Sequence, residues 1–352
     1  MEAELATIAA VIDTIVFDLY RFSDADRVAA LATPAVTSEA SFEDVVQEED
    51  EEIGNEPGVD QVDQTDGLLS WTVGVAFGRF DWRLATGERA VPSEPDPFDP
   101  LPAQSPAMLP DEAEPFHVNS GILVDDLGHP HDLARLIEEV LALVEAEARA
   151  DARRWQQREF FPFHLQNYSK SRRKAPTYWP LSTTSGSYTL WLYYPSLTSQ
   201  TLYTAVNDFV DPKLKHVTDE VAALRAKGGA RSRDDDKKLE ALQALETELS
   251  DLRDTLLRIV PTYRPNHDDG VQITAAPLWP LFRHKPWQNL LRATWVKLEK
   301  GDYDWSHLAM AYRPVQVREK CKTDKSLAIA HDLEDLYVES EPKPAKKRRG
   351  AK

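Results

Sequence analysis

Between Asn167 and Tyr194 the chain reads NYSKSRRKAPTYWPLSTTSGSYTLWLYY. Lys170, Arg172, Arg173 and Lys174 fall within five residues, followed by Tyr178, Trp179, Tyr188, Trp191, Tyr193 and Tyr194. This combination suits a polyanion with flat bases. Cations neutralise phosphates and release counterions, while rings and guanidinium planes stack on splayed bases. A solvated basic turn leading into a buried aromatic strand accounts for the same residues without a ligand. A second group of cations, Arg283 and Lys285 with His284 between them, stands beside Trp287 and is the other exposed candidate.

Other reactive residue types are sparse. His129 and His131 alternate beside Asp125 and Asp126, which invites a metal, but a helix-opening turn explains them as well and no further ligand set is evident. Cys321 lies between Lys320 and Lys322, which would lower its pKa; no base or partner accompanies it. No P-loop, HExxH, paired CxxC or GxSxG occurs. The residues point to a binder or scaffold with no autonomous active site, and with no cofactor bound by this chain.

The elements that must position these residues are partly legible. Residues 2–20 place Ile8, Val11, Ile12, Ile15, Val16 and Leu19 on one helical face, and SDADRVAALA follows as a short capped helix. Residues 1–32 thus read as docking helices, and residues 33–66, with EEDEE at 48–52, as an acidic disordered linker. Order resumes at Leu68, where Gly74 and Gly78 permit close backbone approach in a helix or tight strand packing. A Pro-dense connector follows, then a short strand in GILVDD at 121–126. Next comes a single helix over LARLIEEVLALVEAEARADARRWQQ, with Asp132 as its cap. Residues 67–200 form a mixed α/β domain on this reading.

Residues 200–210 show no clear period. Leu214, Val217, Val221 and Leu224, then Leu242, Leu245, Leu249, Leu252, Leu256 and Ile259, step by three and four around KGGARSRDDD. That spacing predicts an antiparallel helical hairpin within 201–262, an architectural spacer or docking arm. Residues 263–338 form a Trp-rich lobe with Trp279, Trp287, Trp295 and Trp305, most of them core. The tail from 339 is basic, carries six Lys and Arg, and reads as disordered. The fold class expected is α+β.

Charge is unevenly placed. Of the net −18, all but −2 lies in residues 1–66, where 18 Asp and Glu face only Arg21 and Arg27. Seven Lys and Arg (153, 154, 158, 170, 172, 173 and 174) lie between Arg153 and Lys174, with Glu159 as the acidic residue among them. Screening acts within roughly 10 Å, so local field decides phosphate contact and the overall acidity does not exclude DNA. No apolar run is long enough to span a bilayer, the acidic start does not read as a signal peptide, and one cysteine fits a reducing compartment. A cytoplasmic protein without membrane partners is expected.

Several long segments resemble the C-terminal region of the PglX-type adenine-specific DNA methyltransferases of BREX phage-defence systems, relatives of the fused type IIG restriction–modification enzymes. They are WTVGVAFGRFDWRLATGE, GILVDDLGHP, YSKSRRKAPTYWPLSTTSGSYTLWLYY, LTSQTLYTAVNDFVDPKLK, DGVQITAAPLWPLFRHKPW, YDWSHLA and REKCKTDKSLAIAHDLEDL, in the family's order over about residues 68–337. IDTIVFDLY also resembles the helix preceding this region. The family's glycine-bearing S-adenosylmethionine loop and N-P-P-Y-type motif occur nowhere in these 352 residues. The resemblance therefore implies target-DNA recognition without catalysis by this chain alone. S-adenosylmethionine belongs on a missing catalytic half, to which the apolar face of residues 8–19 would dock. The expected partners are double-stranded DNA and that catalytic half or other defence-system subunits. Lys170, Arg172, Arg173 and Lys174 would hold phosphate, and Tyr178 and Trp179 would contact sugar or base. Arg283 and Lys285 are added as DNA contacts. A methyltransferase subunit active only in an assembled complex, a protein–protein scaffold and a nonfunctional fragment are the alternatives.

Overall fold

The computed structural model describes residues 64–92, 104–147, 151–170 and 173–338, together with 17, 98 and 100. The expected docking face of residues 8–19, most of the acidic linker and the basic tail lie outside the described residues. All described residues but Phe17 fall in one compact unit, Val59–Lys352, of mixed helix and sheet. The α+β class holds.

Helix α1 (Gln64–Ala76) opens the unit and is followed by the single turn α2 (Arg83–Thr86). The glycine pair, one in α1 and one just past it, has two separate jobs. A Cβ on Gly74 would sit 2.2 Å from the Phe80 ring, so Gly74 lets the chain fold back across the helix. Gly78, at φ 75°, is in the left-handed region just beyond the helix end and donates its N–H to the Val75 carbonyl at 2.9 Å.

Strand β1 (Ile122–Asp125) leads through a turn into α3 (Leu133–Leu143). Here the single expected helix is two. Val144 closes α3, Glu145 takes φ 53°, and α4 (Ala152–Arg158) starts afresh with the Asp151 carboxylate accepting from Arg154 N–H at 3.1 Å. Helix propensity throughout VEAEARAD favours continuation, so tertiary contacts override it. One such contact is Arg153, whose guanidinium donates to the carboxylates of both Asp125 and Asp132. Asp132 stands at the N-cap of α3 but makes no side-chain cap bond. It is an ion-pair partner instead.

Helix α5 (Phe160–Asn167) continues into a two-residue ribbon, β2 (Ser169–Lys170) against β3 (Arg173–Lys174), and then β4 (Tyr178–Ser182) and β5 (Thr189–Tyr193). The main sheet is antiparallel in the order β1-β5-β4, with Ile122 opposite Leu192 and Tyr178 opposite Tyr193. Its strands are apolar at nearly every position because both faces are covered. Pro180 is tolerated because β4 is an edge strand.

The chain from Thr201 to Ala226 is helical throughout: α6 (Thr201–Thr204), a π-helical turn over Ala205–Val210, and α7 (Asp211–Ala226). The segment without a clear period is therefore helix. Its irregular spacing matches the wider π turn, and Pro212 just downstream has no N–H for the ladder. Helix α8 (Arg233–Ile259) runs antiparallel to α7, fixed by Asp211–Arg253 at 2.6 Å, Thr218–Glu246 at 2.7 Å and Lys227–Asp235 at 2.9 Å. It opens on a capping box between Ser232 and Asp235.

The remainder is helical: α9 (Val271–Ala275), α10 (Lys285–Lys300), α11 (His307–Tyr312), α12 (Pro314–Cys321) and α13 (Lys325–Ala330). The segments divided at 200 and 262 on sequence grounds share one hydrophobic core, which runs from Leu69 through Trp179 and Leu256 to Trp287 and Leu291. A second, smaller core joins Leu298, Leu308, Val317, Cys321 and Leu327. Buried Asp269 attaches it, accepting from His307 N–H at 2.6 Å and Leu308 N–H at 2.8 Å at the start of α11. Cys321 is fully buried there, and burial pushes its thiol up, opposite to the effect expected from the flanking lysines. It is a packing residue.

Replacing Gly74 by Ala should destabilise the protein by about 1–3 kcal/mol through the clash with Phe80. A lowered urea midpoint at unchanged m-value is the expected result; an unchanged midpoint would show that Phe80 can move aside.

Candidate functional site: a polar cavity beside a basic ribbon

A cavity of about 460 Å³ lies between α4, α5, the β4–β5 hairpin and the segment before α10. Helix α4 contributes Gln156, Gln157 and Arg158, and α5 contributes Phe161 and Pro162. From the hairpin come Pro180, Ser182, Thr189 and Trp191, with Ser182 and Thr189 hydroxyls bonded across the strands at 2.8 Å. Arg283 and His284 complete the wall.

The charged groups in this wall are mostly satisfied. Asp125 accepts from Gln157 at 2.7 Å and from Arg153, and burial pushes its carboxyl up against those bonds. Arg283 donates to the carbonyls of Thr183 at 2.7 Å and Ser182 at 2.6 Å. Arg158 is different: it is exposed and has no ion pair among the described residues. Several neutral polar atoms have no partner among the described residues, namely both amide atoms of Gln156, Trp191 Nε1 and His284 Nδ1.

His284 connects this cavity to the basic ribbon. Its ring meets Phe161 edge-on at 5.6 Å, and burial, with the Lys174 ammonium acting in the same direction, holds its pKa down. Lys174 of the ribbon thus acts electrostatically on a cavity-lining residue more than a hundred positions away in sequence. In the ribbon Lys170 pairs with Arg173 and Ser169 with Lys174, while Ser171 and Arg172 lie outside the described residues. Lys285 is exposed, occupies the first turn of α10 and donates to Gln288 Oε1 at 3.1 Å. A cation there opposes the helix dipole, an arrangement with no stabilising rationale of its own.

Tyr178 and Trp179 are not available to a ligand. Tyr178 is 1% exposed and stacks on Phe77 at 5.0 Å and Tyr193 at 5.4 Å. Trp179 is fully buried against Tyr194, its indole N–H donated to the Pro176 carbonyl at 2.8 Å. The expected base or sugar contact by these two rings is corrected: they lie on a strand covered on both faces. Arg283 likewise serves first as a clamp on the end of β4. Of the four clustered tryptophans, Trp287 is buried and Trp305 exposed.

The chain matches no family model and no curated protein. Among the described residues no group of three or more His, Cys, Asp or Glu is placed to hold a metal, and no helix is long and apolar enough to cross a membrane. His129 and His131 are instead bonded within their own turn and to His117, with His117 Nε2 and His131 Nδ1 at 2.7 Å. All three are held below the ordinary histidine value, chiefly by burial.

His164 of α5 holds the chain between the ribbon and β4. Its Nε2 accepts from Thr177 N–H at 2.8 Å and Tyr178 N–H at 3.2 Å, which fixes the entry to β4. Burial, aided by Arg79, lowers its pKa to about 3. The unfolded chain binds a proton here below pH 6.5 and the folded chain does not, so stability is lost as pH falls from 6.5 towards 3. By pH 5 this one residue should cost about 2 kcal/mol. Urea titrations at pH 7, 6 and 5 should show a shallower pH dependence for His164→Gln than for the wild type; parallel curves would refute the assignment.

Proposed function

We propose that the chain is the target-DNA recognition part of a split or truncated adenine-specific DNA methyltransferase of a BREX or type IIG-like defence system. It does not methylate by itself. The observation that supports the DNA reading is that Arg158 and Arg283 line one polar cavity with His284, which is followed in sequence by exposed Lys285 and feels the charge of Lys174. Phosphate contacts by such cations fix position and register on a duplex without reading sequence. The family reading rests on the extended resemblance over about residues 68–337. S-adenosylmethionine would be held by the catalytic half, whose glycine-bearing loop and N-P-P-Y motif are outside these 352 residues.

Lys170, Arg172, Arg173 and Lys174 are the phosphate contacts on this reading, with Arg158 added and Lys285 retained. Anisotropy titrations of a labelled duplex at several salt concentrations provide the test. Arg172→Ala combined with Arg173→Ala should weaken binding and reduce the slope of log K against log salt by about 2, close to one unit per lost phosphate contact. Unchanged affinity and slope would favour a scaffold whose basic ribbon meets an acidic protein.

A further inference from the structure

We propose that the cavity between α4, α5 and the β4–β5 hairpin is a nucleobase pocket, with Gln156 reading the base edge. The inference deepens, and rests on, the reading of the chain as a DNA-recognition piece. Of the nine buried side-chain polar atoms without a partner among the described residues, four belong to residues of this cavity wall. Gln156 is 1% exposed and neither its amide oxygen nor its amide nitrogen has a partner among the described residues. Trp191 is 2% exposed with its indole N–H unpaired, and His284 Nδ1 is also without a partner. Buried polar groups are rarely left so, and four such atoms on residues lining one cavity call for a ligand that pairs them.

The chemistry of those atoms selects the ligand. A glutamine amide offers one acceptor and a donor side by side, the complement of the adjacent donor and acceptor on a base edge. The indole N–H adds a second donor. Phe161, Pro162 and Pro180 supply apolar faces of the kind on which bases pack. Asp125 is paired with Arg153 and Gln157, and Arg283 is bound to two carbonyls, so Arg158 is the one charged side chain in this wall without a partner among the described residues. The part of the ligand that meets Gln156 and Trp191 is therefore neutral, planar and hydrogen-bonding. The attached phosphate has Arg158 on the same cavity and Lys174 beyond His284. A volume of about 460 Å³ accommodates a base with its sugar, within the range of about 300–1,000 Å³ usual for small-ligand sites. The base would come from a strand, unstacked and turned out of the helix, or from a free nucleotide.

The experiment titrates the full chain with each of the four deoxynucleosides by ligand-observed NMR, and in parallel with duplex DNA by anisotropy. At least one nucleoside should bind saturably, and Gln156→Leu should weaken it about tenfold, the loss of one well-made hydrogen bond. The unliganded variant should unfold at or above the wild-type temperature, because an apolar side chain of similar size removes an unmatched amide. Should that variant fail to fold, Trp191→Phe removes the indole donor and should weaken the same nucleoside. Nucleoside binding indifferent to both substitutions overturns the inference. Duplex binding without any nucleoside binding also overturns it, while leaving the DNA reading intact. Nucleoside binding that depends on Gln156, without duplex binding, keeps the pocket, identifies a free nucleotide as its source and ends the DNA reading. Loss of both ends both.

Discussion

One guanidinium organises the centre of this protein. Arg153 binds Asp125 at the end of β1 and Asp132 at the start of α3, two nearly buried carboxylates that repel one another. Without the cation between them, both would be left as uncompensated charges in low dielectric, the costly half of a broken buried ion pair. Arg153 can reach them because the helix breaks after Leu143 and restarts at Ala152. The same restart turns Gln156, Gln157 and Arg158 towards the sheet and creates the cavity. Strand end, helix start and cavity wall are therefore consequences of one electrostatic arrangement.

Around that centre the packing is aromatic and two-sided. Phe160 meets Trp155, Tyr178 and Trp191, while Trp179 meets Tyr194 and Phe282. A three-stranded sheet this small can be buried on both faces only if helices distant in sequence close over it, and α5, α8 and the segment before α10 do so through a shared core. Glu248 of α8 fixes the hairpin tip, accepting from Ser185 N–H at 3.1 Å and Ser185 Oγ at 2.7 Å. The long helix is thus bound to the sheet that carries the site.

What the sequence revealed follows from how local each signal is. The leucines of α8, with Leu249, Leu252 and Leu256 buried, repeat within single turns and need no distant information. The GILVDD strand is equally local. The break between α3 and α4 is not, because the residues around Glu145 are good helix formers and the pairing of Arg153 with two upstream carboxylates, which accompanies the break, joins distant segments. The basic ribbon and the Arg283–Lys285 group were both visible as charge, but the action of Lys174 on His284 depends on tertiary structure. Gln156 carried no signal at all: an amide in a WQQR helix reads as solvated. Tyr178 and Trp179 failed for the opposite reason, since a run of rings looks the same whether it meets bases or other rings.

The clamp by Arg283 has an effect beyond the cavity. Strand β4 ends the sheet, and a sheet end normally offers a row of free donors and acceptors to any passing chain. Here Pro180 has no donor to offer, and the carbonyls of Ser182 and Thr183 are already occupied by the guanidinium. On this edge, fewer donors and acceptors are therefore left for a further strand.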